Sequence, residues 1–144
     1  IGAKIEISKS KIEVIRNEIK GISINMRDMP DQVPTLVILA LFADSKTKIT
    51  NIEHLKYKES NRIEALEVEL LRIGASVSYE NGTLTVIPLN SIPGSVTLNS
   101  YHDHRLVMAF HILKLIFPQI TITNSSSVEK SYPNFLNDIK SIKI

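Results

Sequence analysis

Acid–base and anion-binding side chains gather in four short stretches of the chain. These are Asp31, the run Lys58-Glu59-Ser60-Asn61-Arg62, the run Asp103-His104-Arg105, and Lys130. Each stands where an apolar helical pattern is about to begin, so the spacing places all four at helix starts. A helix N-terminus presents free N–H groups and a partial positive charge, and therefore attracts anions. Lys58, Arg62, Arg105 and Lys130 add four full charges, and the arginines offer a planar fork suited to carboxylate or phosphate. Brought into one cleft with the carboxylates of Asp31 and Glu59, they would suit a substrate carrying several negative charges. Asp31, at a loop end beside a bound hydroxyl, could serve as general base. Glu59 lies among cations that hold a carboxylate ionised, so it would need burial to donate a proton. Lys58 and Arg62 are four apart and Glu59 and Arg62 three apart, which lets them share one helical face. Plainer readings stand beside these. Asp103 reads first as a helix cap, His104 as a supporting histidine, and Lys58 to Arg62 alone as a solvated first turn. The residue types alone reach a polyanion site and stop short of a reaction.

The elements that must carry these residues repeat. Shifted by 72 positions, Ile1-Gly2-Ala3 returns as Ile73-Gly74-Ala75, Asp31 falls on Asp103, and Lys58 falls on Lys130. One residue later, Ile49-Thr50-Asn51 returns as Ile122-Thr123-Asn124. A period of this length marks a duplicated supersecondary unit, with boundaries at 1–72 and 73–144. Alternating segments Lys4 to Ser8 and Ile12 to Ile15 form a hairpin, matched by Ser76 to Tyr79 and Thr83 to Ile87 around Asn81-Gly82. A third strand follows at Gly21 to Asn25 and at Val96 to Leu98. Next comes an apolar helix, Thr35 to Phe42 entered through Asp31 and Pro34, and His104 to Ile116 between the cap Asp103 and the stop Pro118. Strands at Lys48 to Ile52 and Gln119 to Thr123 lead to an amphipathic helix. Its stripe is Ile63, Leu66, Leu70 and Ile73 before Gly74 in the first copy, and Phe135, Leu136 and Ile139 in the second. The fold class is α/β (α+β in composition): two β-β-β-α-β-α units, helices buried and sheets outside.

Bulk properties narrow the function classes. The chain has 144 residues, 43% of them hydrophobic, a net charge of +2 and no cysteine. Its basic residues are dispersed, which argues against nucleic acid; Lys4, Lys9, Lys11 and Lys20 read as strand-edge protection. Without cysteine there is no disulfide frame and no thiolate metal site, which fits a cytoplasmic location. No apolar run reaches the length of a membrane span. The start at Ile1, with no leader pattern, reads as a piece of a longer polypeptide.

Four runs carry a resemblance. Met29-Pro30-Asp31-Gln32-Val33-Pro34-Thr35, His54 through Ile63, Tyr101-His102-Asp103-His104-Arg105 and Glu129-Lys130-Ser131-Tyr132-Pro133 occur in that order. Together they closely resemble the C-terminal part of the 5-enolpyruvylshikimate-3-phosphate (EPSP) synthase family. The resemblance covers essentially the whole chain. It implies two of the three units of an enolpyruvyl-transferase-type domain, with the third unit and an N-terminal domain lying outside the chain. The activity it implies is enolpyruvyl transfer from phosphoenolpyruvate to the 5-hydroxyl of shikimate 3-phosphate, without metal or cofactor. By motif, Asp31 resembles the base for that hydroxyl, and Glu59 the residue exchanging protons with the phosphoenolpyruvate methylene. Lys58 resembles the contact to shikimate 3-phosphate, and Arg62, Arg105 and Lys130 the phosphoenolpyruvate clamp. His54 stands where some members place an asparagine against substrate and could donate a hydrogen bond there. Asn61 replaces the family's usual aspartate and should turn away from Glu59 and Arg62. Asp44-Ser45-Lys46 replaces a glycine-containing turn. Two alternatives are a sister transferase acting on a UDP-amino sugar and a non-catalytic anion-binding module. The chain by itself should be inactive and should expose an apolar face.

Overall fold

The computed structural model describes residues 1–15, 17–91 and 94–142. Its elements are β1 (Lys4–Ile7), β2 (Ile12–Ile15), β3 (Ser23–Asn25), α1 (Val33–Ala40), β4 (Thr47–Thr50) and α2 (Arg62–Arg72), followed by β5 (Ser76–Glu80), β6 (Thr83–Ile87), β7 (Val96–Asn99), α3 (His104–Ile116), β8 (Ile120–Thr123) and α4 (Phe135–Ser141). Short 3-10 turns at Pro30–Gln32, Glu53–Tyr57 and Ser125–Lys130 link strand ends to the helices. The alternation of sheet and helix read from the sequence is therefore present in both halves.

Local chemistry accounts for the boundaries. Asn81 and Gly82 both take positive φ, 49° and 77°, as a two-residue hairpin turn of matching twist requires. At the end of α2, Gly74 adopts φ 79°. The N–H of Ala75 then bonds the Leu70 carbonyl at 3.0 Å and that of Gly74 the Leu71 carbonyl at 2.9 Å, closing a Schellman cap. Helix α1 begins at Val33, two residues earlier than the sequence suggests, because Pro34 fits the first turn, where no amide donor is needed.

The sheets do not respect the repeat boundary. β3 pairs parallel with β4, and β4 pairs antiparallel with β6 of the second hairpin, giving the order β3-β4-β6-β5. The first unit's sheet is thus completed by strands from the second. The hairpin β1–β2 and the parallel pair β7–β8 each stand as two-stranded sheets. The layered core lies between sheets and helices: Val37, Ile38 and Leu41 of the first unit pack with Leu106, Phe110 and Leu113 of α3, and Ile49, Leu84, Val86 and Leu98 close it from the sheets. Helix α4 packs on α3 through Phe135, Ile139, Val107 and Val128. No helix among the described residues is long and apolar enough to cross a membrane.

Candidate functional site

Three loops deliver the chemistry-bearing residues to one place. The first is the 3-10 turn that holds Asp31 ahead of α1. The second runs from Lys58 to Asn61 ahead of α2. Here the structure corrects the sequence reading: Lys58 and Glu59 do not share a helical face with Arg62, because α2 begins only at Arg62. Asn61 enforces that start. Its backbone is non-helical, its carbonyl oxygen accepts from the Glu64 N–H, and its amide donates to the Glu64 carboxylate at 2.9 Å. Asn61 accordingly turns away from the site. The third loop joins β7 to α3, and Tyr101 and His102 both take left-handed backbone there, φ 52° and 57°. Two such residues in succession store strain that the surroundings must hold. Lys130 is a second correction: it closes a 3-10 turn rather than opening a helix, and α4 starts only at Phe135. Lys58 likewise follows a 3-10 turn, so the two repeat-related lysines sit alike.

Asp103 and Arg62 form the buried centre. Asp103 is fully buried and caps α3 through the Arg105 N–H at 2.9 Å. It also accepts from Arg62 Nε at 2.8 Å, Arg62 Nη2 at 3.2 Å and the Ser60 hydroxyl at 3.0 Å. The remaining edge of Arg62 donates from Nη1 to Asp31 at 2.9 Å. Burial alone would lower the Arg62 pKa, but the two aspartates carry it above its ordinary value.

The two other carboxylates face outward from this centre. Asp31 meets Arg62, Arg105 Nη2 at 3.4 Å and Lys58 Nζ at 3.9 Å. Its partial burial pushes its pKa up, and the Arg62 hydrogen bond with the charges of Arg105, Arg62 and Lys58 outweighs that and holds it below the ordinary carboxylate value. Glu59 accepts from Lys130 Nζ at 2.8 Å and lies 2.9 Å from His104 Nδ1. Desolvation raises its pKa too, and Lys130 with His104 brings it below normal. Both are therefore ionised at neutral pH, as expected of carboxylates among cations. Arg105 keeps donors in reserve, since its buried Nε has no partner among the described residues.

His54 stands apart from this group, in a small cleft with Arg27, Asn51 and Glu53. Glu59, Asp103 and His104 bring ligand-type atoms within 4.8 Å of one another. Lys130 and Arg62 already neutralise the two carboxylates, which makes the cluster a poor cation site.

Glu69 was not singled out by the sequence reading. From the buried face of α2 its carboxylate accepts from the Asn99 N–H at 2.9 Å and the Tyr101 hydroxyl at 2.8 Å, so it ties down the strained loop that carries Asp103 to Arg105. A charged residue set against the stripe of Leu66, Leu70 and Ile73 was the available signal.

Comparison with known proteins agrees with this geometry. A family model described as EPSP synthase (3-phosphoshikimate 1-carboxyvinyltransferase) matches residues 1–139. The chain is 41% identical to the 3-phosphoshikimate 1-carboxyvinyltransferase of Methanocaldococcus jannaschii, over 99% of this chain and 33% of that one. The enzyme of the same name from Buchnera aphidicola is 35% identical over the same shares. The chain thus spans about a third of the length of these relatives. Among solved structures, EPSP synthase from Acinetobacter baumannii superposes with a TM-score of 0.74 at 23% identity, over 95% of this chain and 34% of that one. The enolpyruvyl transferase NikO from Streptomyces tendae gives 0.73 at 17% identity, over 96% and 32%. These two likenesses speak for the fold, and the sequence matches decide the kinship: the chain belongs to the EPSP synthase family.

Proposed function

We propose that this chain is part of an enzyme that transfers the enolpyruvyl group of phosphoenolpyruvate to the 5-hydroxyl of shikimate 3-phosphate, and that it supplies that enzyme's acid–base pair. The observation that carries the reading is the pairing of two ionised carboxylates, Asp31 and Glu59, each held by its own cations. A site built only to hold anions gains nothing from carboxylates in a cationic cleft. Within the enzyme this chain forms two of three units of a C-terminal domain, 1–72 and 73–144, and the rest of the polypeptide closes the cleft.

The steps follow from the side chains. Asp31, ionised, takes the hydroxyl proton as the oxygen bonds C2 of phosphoenolpyruvate, while C3 gains a proton from Glu59. In the resulting tetrahedral intermediate, Glu59 takes a C3 proton back, the C2–C3 double bond re-forms, and the C2–phosphate bond breaks. Glu59 must be protonated to begin. When an anionic substrate draws Lys130 away, the carboxylate loses its nearest cation and its pKa rises, with His104 at hand to pass a proton. Arg105 and Lys130 meet the substrate anions with spare donors, and Lys58 meets shikimate 3-phosphate. Arg62 contributes only through the edge that faces Asp31, since its other edge is locked to Asp103. Preorganised cations of this kind stabilise charge that develops in the intermediate. His54 would touch substrate only from the neighbouring cleft. Cofactor chemistry plays no part in these steps.

The test is phosphate release by the full-length polypeptide given both substrates. Asp31→Asn or Glu59→Gln should lower turnover by about 100- to 10,000-fold with ligand affinity largely kept, and the 144-residue chain alone should be inactive. Tighter anion binding by the same variants, with no release by the parent, would leave an anion-binding module instead.

A further inference from the structure

The hairpin β1–β2 presents a bare apolar face. Ile5 lies across from Val14 and Ile7 across from Ile12, so the four side chains share one side of the ribbon. Their repeat counterparts show what such a face normally does. The registers Lys4↔Ile15 and Ser76↔Ile87 coincide under a shift of 72, which maps Ile12 onto Leu84 and Val14 onto Val86. Leu84 and Val86 are fully buried where β6 pairs with β4, whereas Ile12 and Val14 are 70% and 64% exposed. A free two-stranded ribbon is marginally stable in water and gains most from adding to an open edge.

The complementary edge lies at the other end of the molecule. β7–β8 repeats the parallel pair β3–β4, and Asn51 and Asn124, left-handed at φ 58° and 56°, follow β4 and β8 at equivalent points, 73 residues apart. β4 carries a hairpin on its free side, and β8 carries none among the described residues. We infer that two copies of this chain associate head to tail, β2 of one adding antiparallel to β8 of the next. Transferring the β4–β6 register sets Ile12 opposite Ile122, Val14 opposite Ile120 and Glu13 opposite Thr121. A second copy is the occupant because a single chain carries both halves of the joint unpaired among the described residues. The β8 edge also adds no charge to meet Lys11 and Glu13. The contact is heterologous, so each dimer retains one free hairpin and one free edge, and assembly continues with concentration.

The chain has no cysteine, which makes cross-linking specific. Mixed Glu13→Cys and Thr121→Cys chains should give a disulfide-linked pair on mild oxidation, while neither variant links to itself. Sedimentation of the unaltered chain should show mass rising with concentration, and Ile12→Lys with Val14→Lys should return it to monomer with an unchanged circular dichroism spectrum. A monomer throughout the micromolar range would leave the face to another segment of a longer polypeptide and overturn the inference. Cross-linking of Glu13→Cys to itself would indicate hairpin-on-hairpin pairing and overturn it as well.

Discussion

Replacing Arg62 by methionine tests the structural centre of the site. The side chain is 3% exposed and Asp103 beneath it is fully buried, so the change removes the cation paired with a carboxylate that water cannot reach. Asp103 keeps the Ser60 hydroxyl and the Arg105 N–H, and loses the bonds at 2.8 and 3.2 Å. Breaking a buried pair from one side costs about 3–5 kcal/mol. The lost bond to Asp31 adds under about 1 kcal/mol, because Asp31 is well exposed to solvent. With about 2 kcal/mol per molar as the urea dependence of a domain this size, the midpoint should fall by about 2 M. Methionine fills much of the same volume, so a cavity contributes little. The companion variant carries Arg62→Met with Asp103→Ser, since serine still caps α3 while removing the stranded charge. It should recover at least half of the loss. Urea titration followed by circular dichroism reads both. A midpoint within about 0.5 M of the unaltered chain, at the same urea dependence, would refute the claim that this pair holds the site together. A double variant no more stable than Arg62→Met would refute the claim that the cost lies in the unpaired carboxyl.

Two further outcomes are fixed by the geometry. A β-carbon at Gly21 would sit 2.3 Å from the Ser45 carbonyl oxygen and 2.5 Å from that of Lys46, both backbone atoms. Gly21→Ala should therefore cost about 1–3 kcal/mol, and an unchanged melting temperature would exclude the close approach. Asp31 and Glu59 have folded pKa values below their unfolded ones, so the unfolded chain binds more protons as acid is added. Their contribution is present above the unfolded values and lost as pH falls through the folded ones. Combined Asp31→Asn and Glu59→Gln should flatten the decline of urea stability below about pH 5, and an unaltered decline would place its origin elsewhere.

The order of elements and the site cluster were legible because local signals and the repeat agreed. Asn81-Gly82, Gly74, Pro34 and Asp103 each specify one backbone event, and each event occurs. What the sequence concealed was non-local. Nothing in residues 76–87 announces that this hairpin pairs with β4 of the preceding unit rather than with a strand of its own. Spacing placed Lys58 and Glu59 on α2, but Asn61 satisfies the first-turn amides and delays the helix to Arg62. Spacing also assigned Asp103 a cap alone, because a cap is visible from three neighbouring residues, whereas its bond to Arg62 crosses 41 positions. Glu69 escaped notice for the same reason: the partners that justify its burial lie 30 and 32 positions away.

The repeat also explains why the site needs both units. Asp31 and Asp103 are counterparts, as are Lys58 and Lys130, so duplication supplied two similar loop ends. The remaining positions have diverged in opposite directions. Under the same shift, Glu59 and Arg62 correspond to Ser131 and Asn134, while His104 and Arg105 correspond to Gln32 and Val33. One unit therefore retains the acidic and guanidinium groups ahead of α2, and the other retains the histidine and guanidinium at the start of α3. The contacts run between them: Glu59 with His104 and Lys130, Arg62 with Asp103, Arg105 with Asp31. The two aspartates divided their labour accordingly. Asp103, sealed from water, spends its oxygens on the cap and on Arg62, whereas Asp31 remains 43% exposed and ionised among cations. A buried carboxylate with four hydrogen bonds is a fixed anchor, while an exposed one with a lowered pKa is free to meet a substrate hydroxyl. Symmetry placed the two carboxylates, and burial decided which of them could do chemistry.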